Sequence, residues 1–83
     1  MDRLRNEASD CYSWSNAPGD TYTAHSHAYE KVLYCVHGSI TFRLEDEDRE
    51  LHLLAGDRMV LPPHTRHSAV VGEGGVTCIE GHR

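Results

Sequence analysis

Apolar residues along this chain fall in short runs broken by Gly, Pro and Asp, and nowhere do they repeat with a helical period. That pattern predicts strands. Tyr12 and Trp14 alternate with polar neighbours over residues 11–15, and a turn follows over residues 16–20, where Pro18, Gly19 and Asp20 sit together. Residues 21–27 alternate again. Residues 31–37 are rich in β-branched and aromatic side chains and stop at Gly38, after which Ile40, Phe42 and Leu44 share one face of a half-buried strand. An acidic loop over residues 45–50 leads to a strand around Leu51 and Leu53, closed by Gly56 and Asp57. Residues 59–61 form a short strand ending at Pro62 and Pro63. Residues 68–71 and 76–80 read as a last pair joined by a Gly-rich turn over 72–75. About seven or eight short strands and no helix predict an all-β domain, a small sandwich or barrel. The barrel spans residues 11–80 of a single domain over 1–83, with 1–10 as a mobile arm or an edge strand.

Composition narrows the function classes. The chain has 83 residues and a net charge of −5 with neutral histidines, the wrong sign for a nucleic-acid binder. Its longest apolar run covers residues 32–36, too short to span a bilayer, and the polar N-terminal segment has no apolar signal-peptide core. Three cysteines without CxxC spacing suggest no disulfide framework; Cys35 and Cys78, in apolar runs, read as buried thiols of a reducing, cytoplasmic compartment. The acidic loop lacks the spaced oxygen ligands and central Gly of an EF-hand. A domain this small has a thin core, so a partner subunit, a metal or both are expected to support it.

The chemistry sits in the seven histidines, at positions 25, 27, 37, 52, 64, 67 and 82. His25 and His27, two apart in an extended segment, place two imidazoles on one face, half of a transition-metal site. On its own such a pair occurs by chance. The frame around it is more specific: Gly19, five residues, His25-Ser26-His27, three residues, Lys31, six residues, Gly38. A second block runs Gly56, five residues, Pro62-Pro63-His64, two residues, His67. In this order and spacing the blocks resemble the two signature motifs of the cupin superfamily, G-x5-HxH-x3/4-E-x6-G and G-x5-PxG-x2-H-x3-N, and the resemblance covers roughly residues 17–80.

The resemblance implies a small antiparallel β-barrel of jelly-roll (double-stranded β-helix) type. By matching position, His25, His27 and His67 fall on the family's ligand histidines, a set suited to a divalent transition metal such as Fe, Mn, Ni, Zn or Cu with positions left open. It further implies small-molecule chemistry of the kinds found among dioxygenases, isomerases, epimerases and decarboxylases, and a homodimer paired through sheet edges, to which the N-terminal arm could lend a strand.

The sequence also departs from the motifs. Lys31 stands where the family has its Glu ligand, with Glu30 beside it. Strand parity turns Lys31 inward and Glu30 outward unless a bulge intervenes. Three outcomes stay open: a three-histidine metal site with Lys31 turned away, a metal-free pocket in which Lys31 anchors an anionic small molecule, or a site completed by Glu30. His64 replaces the motif Gly and Val71 the motif Asn; His64 reads as an exposed turn residue or a group at the pocket mouth. Lys31, Glu30 and His64 are the candidates for a general base. His37, His52 and His82 read as surface, and Trp14, Tyr29 and Tyr34 as core or interface aromatics, with a pocket lining as the alternative.

Overall fold

The computed structural model describes residues 2–83. Its strands are β1 (Ser9–Asn16), β2 (Thr21–His25), β3 (Lys31–Leu44), β4 (Arg49–Leu54), β5 (Arg58–Leu61) and β6 (His67–His82), preceded by one helical turn, α1 (Asp2–Arg5). The all-β reading holds. All pairings are antiparallel. The two long strands β3 and β6 pair along their whole length; β1 and β2 line the other edge of β6, and β4 and β5 the other edge of β3. A straight strand of β3's length would run about 46 Å, yet the molecule's longest dimension is 30 Å. The central pair therefore bends, and the sheet folds over on itself as a jelly roll that stays open rather than closing into a hydrogen-bonded ring.

The bend corrects the expected strand count. Residues 31–44 form one strand rather than two, and the turn expected over 72–75 is a bulge inside β6. The register shows why: Val71 pairs with Ile40 and Val76 with Gly38, so both halves of β6 run against β3 instead of against each other. Gly38 and Gly75 meet at the fold line, both with positive φ, and a Cβ on Gly38 would fall inside the Gly75 carbonyl.

The bulges also switch side-chain parity. Before the bend in β3, Lys31, Leu33 and Cys35 face inward; after it, Ile40, Phe42 and Leu44 do. In β6 the inward set changes from His67, Ala69 and Val71 to Val76, Cys78 and Glu80. The apolar members of these sets, with Leu53, Met59 and Leu61, form the core between the two halves of the folded sheet. Cys35 and Cys78 lie opposite each other in it as free thiols. Burial raises both thiol pKa values, that of Cys78 to about 12.

The expectation of no helix fails at two places. Glu45–Glu47 form a 3-10 turn inside the acidic loop. Within the segment read as a mobile arm or an edge strand, α1 packs on the chain's own sheet, with Leu4 fully buried, and β1 begins at Ser9. Glu7 then accepts hydrogen bonds from Tyr34 Oη at 2.8 Å and from Arg58 Nε at 3.0 Å, tying the segment to β3 and β5. Among the described residues no helix is long and apolar enough to cross a membrane.

Candidate metal centre

β6 carries residues of both walls of one pocket, because its bend turns its two halves toward each other. On the first wall, His67 opens β6 and pairs in register with His25, the last residue of β2. Strand β2 ends there, so His27 stands in a loop rather than on the continuous strand expected over 21–27. Its place is fixed instead by the backbone: His64 N–H donates to the His27 carbonyl at 2.6 Å and so joins the two histidine blocks. The ring centroids lie 4.9 Å (His25–His27), 4.5 Å (His25–His67) and 5.4 Å (His27–His67) apart.

Two of these rings are held from behind by main-chain carbonyls. His25 Nδ1 lies 2.8 Å from the Thr23 carbonyl and His67 Nδ1 2.9 Å from the Thr65 carbonyl. A carbonyl only accepts, so each Nδ1 carries the proton and the Nε2 lone pair is left for another partner. Among the described residues, His27 Nε2 and His67 Nε2 are buried with no hydrogen-bond partner. Buried polar atoms are seldom left so, because desolvating them without compensation is costly. Burial, reinforced by the other imidazoles and Lys31, lowers the pKa of both rings and favours the neutral, ligating form.

One potential ligand atom from each of the three histidines lies within 4.8 Å of the others. Metal–imidazole bonds are about 2.0–2.1 Å, so an ion among them asks each ring to move by less than about 1 Å. The residues present fit a transition metal: neutral nitrogen donors, unpartnered lone pairs and carbonyls that orient the rings.

The second wall is built on Glu80. Glu80 is only 2% exposed, and its carboxylate accepts from Trp14 Nε1 at 2.6 Å and from Tyr12 Oη at 2.8 Å. Lys31 Nζ lies 3.2 Å from the same carboxylate. The sheet dictates this cluster. Tyr12 is Glu80's cross-strand partner on β1, and Lys31 sits two residues before its partner Leu33 on β3, on the same inward face. Burial, then the adjacent carboxylate, raises the pKa of the Tyr12 hydroxyl and keeps it a donor.

Trp14 stands edge-on to Tyr22, with centroids 5.7 Å apart. With Phe42 these aromatics give the pocket an apolar lining; its volume is about 300 Å3.

Of the residues singled out in the sequence, Lys31 lines this pocket, 7% exposed. Glu30 and His64 do not. Glu30 is drawn to the C-terminus, where its carboxylate accepts from Arg83 Nε at 2.6 Å. His64 is an exposed turn residue at φ 63°, so the turn keeps the left-handed backbone of the motif Gly it replaces. His37 and His52 are exposed, whereas His82 closes β6 and stacks on Tyr29 at 3.6 Å. Trp14 meets both of its readings: it packs against the core and lines the pocket.

Glu80 was missed. The signal was present in the alternation of Val76, Cys78 and Glu80, which puts an acid at an inward position of a buried strand. Lys31 is therefore not a lone cation: Glu80 supplies its counter-charge at 3.2 Å.

The family model of the cupin domain matches residues 13–81. The chain belongs to the cupin family. Among solved structures, this cupin is similar to an RmlC-like cupin from Shewanella frigidimarina NCIMB 400, with 26% identity and a TM-score of 0.75 over 87% of this chain and 62% of that one. It is also similar to KdgF from Halomonas sp., with 29% identity and a TM-score of 0.71 over 88% of this chain and 67% of that one. The DMSP lyase DddQ from Ruegeria pomeroyi DSS-3 shares the fold, with a TM-score of 0.80 at 20% identity over 88% of this chain and 36% of that one. This cupin thus spans less than two thirds of the first of these structures. No curated protein matches the sequence.

Proposed function

We propose that this cupin is a metal-dependent small-molecule protein in which His25, His27 and His67 hold a divalent transition metal at one wall of the pocket. The observation that carries the reading is the pair of buried, unpartnered Nε2 atoms on His27 and His67. A neutral three-histidine set leaves coordination positions open, and an ion bound there supplies Lewis acidity to a ligand oxygen. The chain's own residues do the rest. The Thr23 and Thr65 carbonyls orient two of the rings. Trp14, Tyr22 and Phe42 exclude water and offer a face to the apolar part of a ligand. Lys31, matched by Glu80, keeps a charged donor inside the pocket without competing as a ligand, since a protonated amine has no lone pair.

Metal analysis tests this directly. Protein expressed with metal supplementation and purified without chelator is expected to carry about one transition ion per chain, and the His67→Ala variant almost none. Wild-type protein with less than about 0.1 ion per chain, folded by circular dichroism, would overturn the reading.

A further inference from the structure

The Lys31 ammonium has three N–H donors. One engages Glu80; among the described residues no other acceptor partners Nζ. This is a charged group more than nine-tenths buried, lining a cavity and left with donors to spare. Both Glu80 oxygens are held by contrast: Trp14 donates to Oε1 and Tyr12 to Oε2, which fixes the carboxylate and through it the position of Nζ. The opposite wall carries the three-histidine cluster.

The Lys31–Glu80 pair cancels, and imidazoles ligate only in their neutral form, so the charge of the pocket is set by a dication that enters. It then carries about two net positive charges in a partly desolvated space, where charge attraction is far stronger than in water. We propose that the ligand is a small carboxylate, bound with an oxygen on the metal and an oxygen on Lys31, its remainder lying against Trp14, Tyr22 and Phe42. This rests on the metal reading above. In it Lys31 is the specificity residue and Glu80 its positioning residue, and carboxylate binding requires both the ion and the ammonium.

The test is calorimetric titration of zinc-loaded protein with pyruvate and with its uncharged methyl ester, zinc content being measured on the same samples. Wild-type protein is expected to bind pyruvate at least about tenfold more tightly than the ester, and to lose that preference when zinc is removed. The Lys31→Met/Glu80→Gln double variant removes both charges together and leaves no unpaired ion. It is expected to keep its zinc and to bind pyruvate about tenfold or more weakly. Lys31→Arg, which keeps the pair with Glu80, is the second variant should the neutral pair not fold; it is expected to shift pyruvate affinity severalfold at unchanged zinc content. Pyruvate affinity equal to wild type in the folded, zinc-bearing variants overturns the role of Lys31, and equal affinity for pyruvate and ester overturns the carboxylate. Wild-type protein that takes up no zinc shows instead that the metal reading has failed, and the inference falls with it.

Discussion

The two walls of the pocket are built from opposite halves of one strand and have opposite states of satisfaction. At Glu80 every charge has its partner: an ammonium, an indole N–H and a phenol meet one carboxylate. At His67 the ring is anchored from behind, and the atom that faces forward has no hydrogen-bond partner among the described residues. A buried network completed by the protein's own groups belongs to the fold. A buried donor set that the protein does not complete is a cost the fold carries for a ligand. The difference separates Glu80 and its Trp14 and Tyr12 donors, which hold the pocket's shape, from the histidines and the spare Lys31 donors, which face a ligand.

The largest effect should come from breaking the satisfied wall. Glu80→Ala leaves the Lys31 ammonium buried without its counter-charge and strips the acceptor from Trp14 and Tyr12. The expected cost is about 3–5 kcal/mol, a large share of the stability of so small a domain. Urea denaturation followed by Trp14 fluorescence measures it. Removing both charges together, in Lys31→Met/Glu80→Gln, should cost far less, because no unpaired ion remains. Equal losses in the two variants would mean that the pair is not the source of the effect.

The histidine wall should reveal itself through pH, with a smaller effect. Burial lowers the pKa of His27 and His67 below the ordinary value of 6.5. Between the lowered value and 6.5 the unfolded chain binds more protons than the folded one, so stability rises with pH there. Their neutral forms contribute in full above about pH 6.5, and the contribution drains away as pH falls through the folded-state values. Chelator-treated protein should therefore lose urea resistance on going from pH 7.5 to 5.5. A His27→Gln/His67→Gln variant should show a shallower loss, and the same slope in both proteins would place the acid sensitivity elsewhere.

The two walls also differ in how much of them could be read from the residues alone. His25, His27 and His67 stand at recognisable spacings from Gly19 and Gly56, and those spacings survive folding even though His27 sits in a loop, where strand periodicity says nothing. Glu80 has no motif around it. Its role depends on Tyr12, Trp14 and Lys31, which reach it from two other strands, and on a bulge that reverses the parity of β6 between Val71 and Val76. A Gly-rich stretch such as 72–75 reads equally well as a hairpin turn or as a bulge, since both need glycine's freedom. Only the long-range register with β3 decides between them. The all-β class followed from local alternation, whereas the bend that faces one wall to the other did not. The helical turn α1 was hidden for the same reason: Leu4 is an isolated apolar residue until the sheet provides the surface that buries it.

The smallest effect tests how the unsatisfied wall is held. His64 occupies a left-handed backbone position where the cupin motif has Gly, and its only described tie to the site is its backbone N–H, donated to the His27 carbonyl. His64→Gly keeps that N–H and relieves the left-handed strain, while it adds chain entropy to the unfolded state. The two terms nearly cancel. The variant should gain a few tenths of a kcal/mol, or about 3 °C in melting temperature, with metal content unchanged. Melting temperature and metal content measured together decide the matter. A variant that melts lower or loses its ion would show that the imidazole of His64, rather than its backbone, supports His27. The wall would then depend on a fourth side chain instead of resting on carbonyls and one amide.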